Sequence, residues 1–198
     1  MNILFLGDSI TDCAHNFTPD NLGGGYVKLI ASHHPEITAV NGGTNGFTFP
    51  RVMQKWQQMY AARTYERAVI TCGINEVGII MNTGPTQKQT DELLSHSKKA
   101  ARTLIAGLLE NNTSKILLIE PFLFPTVQYL VHWVPVLCSV REMIRQTVLE
   151  FPCDKVTYVH TQNALEQAAA REPVTHDGIH LNRSGNQYLA ALIEAALF

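Results

Sequence analysis

Short apolar runs alternate along this chain with longer stretches in which apolar and polar positions mix. Asn2–Leu6, Ile37–Asn41, Ala68–Cys72, Lys115–Glu120 and Val156–Val159 are too short to be helices and are rich in Ile, Leu and Val, as buried strands are. Between them, Gly24–His34, Arg51–Ala62, Gln89–Leu109, Arg141–Phe151, Asn163–Arg171 and Ser184–Leu197 read as helices. The last shows the pattern best, with Tyr188, Leu189, Leu192, Ile193 and Ala196 on one stripe. Residues 10–22, the stretch after Cys72 around Gly84-Pro85, and Thr175–Asn182 read as loops. Five strands alternating with helices predict an α/β fold, a three-layer α/β/α sandwich around a five-stranded parallel sheet. A single domain over residues 1–198 is expected, and the chain is too short for an eightfold barrel.

The ends of these strands carry polar residues that burial does not require. The first run stops at Gly7-Asp8-Ser9. The second enters Asn41-Gly42-Gly43-Thr44-Asn45-Gly46, and the third ends in Gly73-Ile74-Asn75-Glu76. Asp177 and His180 lie between the fifth strand and the closing helix. In a parallel sheet these positions open on one edge, beyond the carboxyl ends of the strands. Each residue type has a place in acyl transfer. A serine hydroxyl is a poor nucleophile without a base, and His180 can take its proton. Asp177 can fix the histidine's tautomer. The N–H groups of Ser9 and Gly43 and the amide of Asn75 can converge on an oxyanion. His176, Asp177 and His180 also admit a metal-ligand reading, which Gly178 and the lack of a partner motif disfavour, so no metal or cofactor is expected.

The segment Pro121–Pro135 is apolar and aromatic. It packs on the core or a second subunit, or it walls an acyl or alkyl pocket. Its place after the fourth strand favours the pocket, with Phe122, Phe124, Tyr129 and Trp133 as candidate substrate contacts and Ile79, Ile80 and Met81 beside them.

Composition narrows the partners. The chain has 15 Lys and Arg against 17 Asp and Glu, for a net charge of -2. There is no basic footprint for nucleic acid or anionic membrane. Charged residues are only 16%, which fits an apolar site or a self-association face. The four cysteines show no Cys-x-x-Cys pair. No run is long enough to span a bilayer and no leader is evident, so a cytoplasmic location is expected.

The blocks Gly7-Asp8-Ser9-Ile10-Thr11, Asn41–Gly46, Gly73-Ile74-Asn75-Glu76 and Asp177-Gly178-Ile179-His180 resemble, in order, those of the GDSL/SGNH hydrolase superfamily. The resemblance implies a flavodoxin-like sandwich and serine ester hydrolysis without a cofactor. It also implies nucleophile Ser9, base His180, orienting Asp177, and oxyanion donors Ser9, Gly43 and Asn75. Ile10 stands where the eponymous motif has Leu, and Glu76 where the third block usually has Asp. An acyltransferase with the same triad and a non-catalytic flavodoxin-like binding module are the alternatives.

Overall fold

A computed structural model describes all 198 residues. Five strands, β1 (Asn2–Gly7), β2 (Thr38–Gly43), β3 (Arg67–Thr71), β4 (Lys115–Ile119) and β5 (Val156–Val159), form one parallel sheet in the order β2-β1-β3-β4-β5. Alternate residues serve opposite faces. In β1, Leu4 and Leu6 enter one core while Ile3 and Phe5 enter the other. In β4, Ile116 and Leu118 oppose Leu117 and Ile119. Both faces are buried, which is why these strands read as continuous apolar runs.

The larger core is covered by α3 (Phe49–Met59), α4 (Ile74–Thr83), α5 (Gln87–Glu110) and α7 (Val134–Val148). The smaller is covered by α2 (Tyr26–His33), α8 (Gln162–Ala169) and α9 (Arg183–Leu197). The chain moves outward from β1 in one direction to β2 and in the other to β3. That reversal opens a crevice between the carboxyl ends of β1 and β3, where ligands of such sheets bind.

The predicted sandwich is present, but three segments hold helical structure that the sequence does not predict. Ser9–Asp12 forms one helical turn, α1, capped by the Asp8 side chain through the Ile10 N–H at 3.0 Å. Residues 74–83, read as a loop, form α4, which ends at Gly84 with φ +56°. The segment 121–135 contains a short helix, α6 (Gln128–Val131), and α7 starts at Val134, seven residues before the helix expected from the sequence. Pro135 sits in the first turn of α7, where its missing N–H costs nothing. β2 also runs on to Gly43, pairing Gly42 with Leu6 and Gly43 with Gly7. That extension matters for the site.

Candidate active site

Ser9 is the first residue of α1 at the end of β1. Its neighbour Asp8 caps the turn, so the hydroxyl is held at the sheet edge rather than buried beneath it. The loop carrying Asp177 and His180 is closed on itself by an antiparallel bridge between Thr175 and Leu181 and by the His176 N–H donating to the His180 carbonyl at 2.8 Å. Gly178 lies in this loop with φ +93°, and a Cβ there would stand 2.2 Å from the Phe124 carbonyl oxygen. Phe124 N–H in turn donates to the Gly178 carbonyl at 2.7 Å. The segment after β4 thus clamps the histidine loop through its backbone.

The result is a continuous chain of contacts. Ser9 Oγ lies 3.0 Å from His180 Nε2, and His180 Nδ1 lies 2.7 Å from Asp177 Oδ2. Asp177 Oδ1 also accepts the N–H groups of Ile179 and His180, at 2.9 and 2.7 Å. Partial burial alone would lift the Asp177 carboxyl; the hydrogen bonds from the His180 ring and the two N–H groups outweigh it and hold it down at about 2. Asp177 is therefore an anion across the neutral range and can accept only, which leaves His180 Nδ1 as donor and Nε2 free to receive a proton from Ser9.

Ser9 and His180 open into a cleft of about 400 Å³. One wall is a single face of α4: Asn75, Gly78, Ile79 and Asn82, at positions i, i+3, i+4 and i+7. Trp133 and Ile179 face it, and Asn45 and Gly46 close the end beside β2. Behind Ile74 and Ile179 lies a separate void of only about 10 Å³, bounded by Asp8, Cys72 and Phe122. It has no room for an acyl chain.

The structure separates the expected oxyanion donors. Asn75 lines the cleft from the first turn of α4; one of its two amide hydrogens is donated to the Phe47 carbonyl at 2.9 Å, which fixes the side chain and leaves the other free. Gly43 does not serve. It is buried in β2, its N–H is already donated to Asn41 Oδ1 at 2.9 Å, and a Cβ there would lie 2.3 Å from the Asp12 nitrogen. Because β2 continues through Gly43, the turn falls three residues later. Its cleft-facing glycine is Gly46, at φ +76° with open space around it. Neither the Gly46 nor the Ser9 N–H is used by a turn, a cap or a side chain.

The aromatic candidates also divide. Trp133 lines the cleft, and Tyr129, largely exposed, braces it edge-on with ring centroids 6.1 Å apart. Phe122 is buried and Phe124 packs against the same smaller core. Both side chains turn under the sheet edge, because the chain leaving β4 passes beneath the histidine loop before it reaches the cleft. Ile79 borders the cleft, whereas Ile80 is buried and Met81 packs on the larger core. Asn82 and Gly78 had no sequence signal of their own; only the helical spacing from Asn75 connects them.

Glu76 is fully buried. Its Oε1 accepts the Phe49 N–H at 2.7 Å and the Ser97 hydroxyl at 3.1 Å, and its Oε2 has no partner. Burial pushes its carboxyl above the usual range. It caps the N-terminus of α3, whose own N-cap Thr48 makes no side-chain bond, and so ties α3, α4 and α5 together beneath Asn75. No three His, Cys, Asp or Glu side chains converge as a metal-ligand set, and no helix is long and apolar enough to cross a membrane.

Known proteins share this fold. An acetylxylan esterase of Geobacillus stearothermophilus is 31% identical over 134 residues, which are 61% of this chain and 59% of that protein's length. The solved structure of a variant acetyl-xylooligosaccharide esterase from Geobacillus superposes with a TM-score of 0.81 at 24% identity, covering 100% of this chain and 94% of that one. An α/β hydrolase from the metagenome of Lake Arreo, Spain, gives a TM-score of 0.79 at 20% identity over 98% and 94%. The model of the GDSL-like lipase/acylhydrolase family matches residues 5–188, a span that holds Ser9, Asn75, Asp177 and His180, and the chain belongs to that family.

Proposed function

We propose that the protein is a serine esterase that hydrolyses small acyl esters through Ser9, His180 and Asp177, with residues 1–198 acting as one catalytic domain. The observation that carries this reading is the contact chain from Ser9 Oγ through His180 to Asp177, at 3.0 and 2.7 Å, opening on an uncharged cleft. His180 Nε2 takes the Ser9 proton as Oγ attacks the ester carbonyl. The oxyanion forms against the Ser9 N–H, the Gly46 N–H and the free Asn75 amide hydrogen. His180 then gives its proton to the leaving alcohol. Water, losing its proton to His180, attacks the acyl-enzyme, and collapse returns Ser9 and frees the carboxylic acid.

Two features support small acyl groups and water as acceptor. The void behind Ile74 and Ile179 is about 10 Å³, too small for a chain. The side chains of His180 and Asp177 are about half exposed, at 48% and 53%, so an acyl-enzyme is open to solvent. The acetyl specificity named for the Geobacillus relative is consistent with this. All four cysteines are free, which fits a reducing compartment, and the cytoplasm is the proposed location.

The test is direct. A serine-directed phosphonate should label Ser9, and Ser9→Ala should lose hydrolysis of p-nitrophenyl acetate. Labelling at another serine, or undiminished turnover by the variant, overturns the assignment.

A further inference from the structure

From the charge and spacing of the outer face of α3, we infer that the groove behind the Thr44–Phe47 turn binds the phosphate group of a small molecule, at a site separate from the catalytic cleft.

The turn divides two openings. It is closed by the Phe47 N–H, which donates to the Thr44 carbonyl at 3.2 Å. Its middle residues, Asn45 and Gly46, border the catalytic cleft, whereas Thr44 and Phe47 border a groove of about 430 Å³. The two openings share no lining residue. The far wall of the groove is one face of α3: Arg51, Gln54, Lys55 and Gln58, at positions i, i+3, i+4 and i+7. Its volume is that of a small-molecule site.

This face is cationic and unpaired. The Arg51 side chain makes no ion pair or hydrogen bond; its guanidinium lies over the Phe47 ring, 5.9 Å from the centroid. Lys55 is half-buried. Its ammonium donates only to the Gly43 carbonyl at 3.1 Å and the Thr44 hydroxyl at 2.7 Å, both neutral, and one hydrogen is left over. No Asp or Glu occurs from residue 37 to residue 65. Asp12 is the carboxylate whose field reaches Lys55, and its oxygens already hold the His15 ring and the Asn45 N–H. Burial accordingly lowers the Lys55 ammonium below the usual lysine range. A partly desolvated cation without a counter-charge is costly, and a bound anion offsets that cost.

Spacing and charge then select the anion. Residues four apart on a helix have Cβ atoms about 5–6 Å apart, so two long side chains can converge on one tetrahedral group. Two cations without an acid match a dianion. A phosphate monoester comes close to that at neutral pH; a carboxylate carries a single charge. The Arg51 fork can take two phosphate oxygens and the spare Lys55 hydrogen a third. The amides of Gln54 and Gln58, unbonded within the chain, remain for the rest of the molecule.

The experiment titrates inorganic phosphate, methyl phosphate and acetate into the isotopically labelled full chain, at neutral pH and fixed ionic strength, and follows backbone amide shifts. Both phosphates should give saturable shifts centred on Thr44, Phe47 and residues 51–58, with Kd about 1 mM or below. Acetate should bind at least about tenfold more weakly, as should phosphate to Arg51→Gln, which loses a charge-assisted contact. Arg51→Gln should still hydrolyse p-nitrophenyl acetate at the wild-type rate. Lys99→Gln, an exposed cation removed from α5, should leave phosphate affinity unchanged. Shifts that do not saturate or that spread over basic residues elsewhere overturn the site, as does undiminished binding by Arg51→Gln. A rise in KM for p-nitrophenyl acetate with added phosphate would put the anion in the cleft and overturn it too. Acetate binding as tightly as phosphate overturns the choice of ligand.

Discussion

Asp12 Oδ2 accepts the backbone N–H of Asn45 at 3.0 Å, across 33 residues of sequence. The same carboxylate lies against the His15 ring, with Oδ1 2.6 Å from Nδ1. Asp12 is on the one-turn helix that begins with Ser9, and Asn45 precedes Gly46 in the turn after β2. One side chain therefore spaces the nucleophile from a proposed oxyanion donor. Lys55 holds the other flank of that turn, through the Gly43 carbonyl at 3.1 Å and the Thr44 hydroxyl at 2.7 Å. Asp12→Ala should lower kcat by about tenfold with little change in KM, the pattern of an interaction realised only in the transition state. Asp12→Asn, which keeps an acceptor for Asn45, should recover part of the loss. Steady-state kinetics on p-nitrophenyl acetate decides; a rise in KM alone would assign Asp12 to substrate binding instead.

The amide of Asn75 is aimed by its bond to the Phe47 carbonyl and has one hydrogen to spare. Asn75→Ala should cost on the order of a hundred- to a thousand-fold in kcat if that hydrogen meets the oxyanion. Affinity for a transition-state-like boronic acid should fall in parallel. A loss of only a few-fold, or boronate binding that stays intact, would remove Asn75 from the oxyanion site.

Asp177 is held ionised by hydrogen bonds from one ring and two N–H groups. Asp177→Asn would place an amide where His180 Nδ1 needs an acceptor, favouring the wrong tautomer. Turnover should fall on the order of a thousand-fold or more, while phosphonate labelling of Ser9 slows to match. Near-normal turnover would show that the imidazole is oriented by something else.

How much of this could be read from the chain follows from where the signals lie. Buried strands and their terminal residues were legible because β1, β3 and β4 sit under helices on both faces, and Ser9 and Asn75 follow the ends of the β1 and β3 runs, while Asp177 and His180 stand three apart in a loop before the closing helix. α4 was not legible. Its interior holds Gly78 and β-branched residues, weak helix formers, and its order comes from Val77 and Ile80 packing into the core. With α4 unseen, Gly78 and Asn82 had no place in the site. The glycine error has a similar origin. Asn41-Gly42-Gly43 has turn composition, yet β1 pairs with it as strand, and the tertiary ladder overrides the local preference. Phe122 and Phe124 were indistinguishable from Trp133 by composition, since all three are aromatic residues after the same strand. What separates them is the direction of the backbone beneath Gly178.

Glu76 illustrates a role set by reach. Glu76→Gln keeps an oxygen for the Phe49 N–H and the Ser97 hydroxyl and should change stability by less than about 1 kcal/mol. Glu76→Ala leaves both donors unpaired and opens a cavity, and should cost about 3 kcal/mol. Urea unfolding of the two variants separates these outcomes; equal costs would mean that the carboxylate charge, rather than its hydrogen bonds, is what α3 requires.

Asp8 supplies the pH dependence. It is 1% exposed, and burial, reinforced by the nearby Glu76, lifts its carboxyl to about 7 despite the bond from the Ile10 N–H. Unfolded, the same carboxyl titrates near 3.8. Below that value both states hold the proton and the titration of Asp8 adds nothing to the pH dependence of stability. Between 3.8 and about 7 the unfolded chain ionises while the folded protein does not, so stability falls as pH rises, and above the upper value the full cost is present. The gap corresponds to a penalty on the order of 4 kcal/mol at most. Asp8→Asn retains an acceptor for Ile10 and has nothing to ionise. Its stability relative to wild type should therefore grow steadily from pH 4 to pH 8, measured by denaturant midpoints at fixed ionic strength. Curves that stay parallel across that range would mean Asp8 is solvated as an ordinary carboxylate.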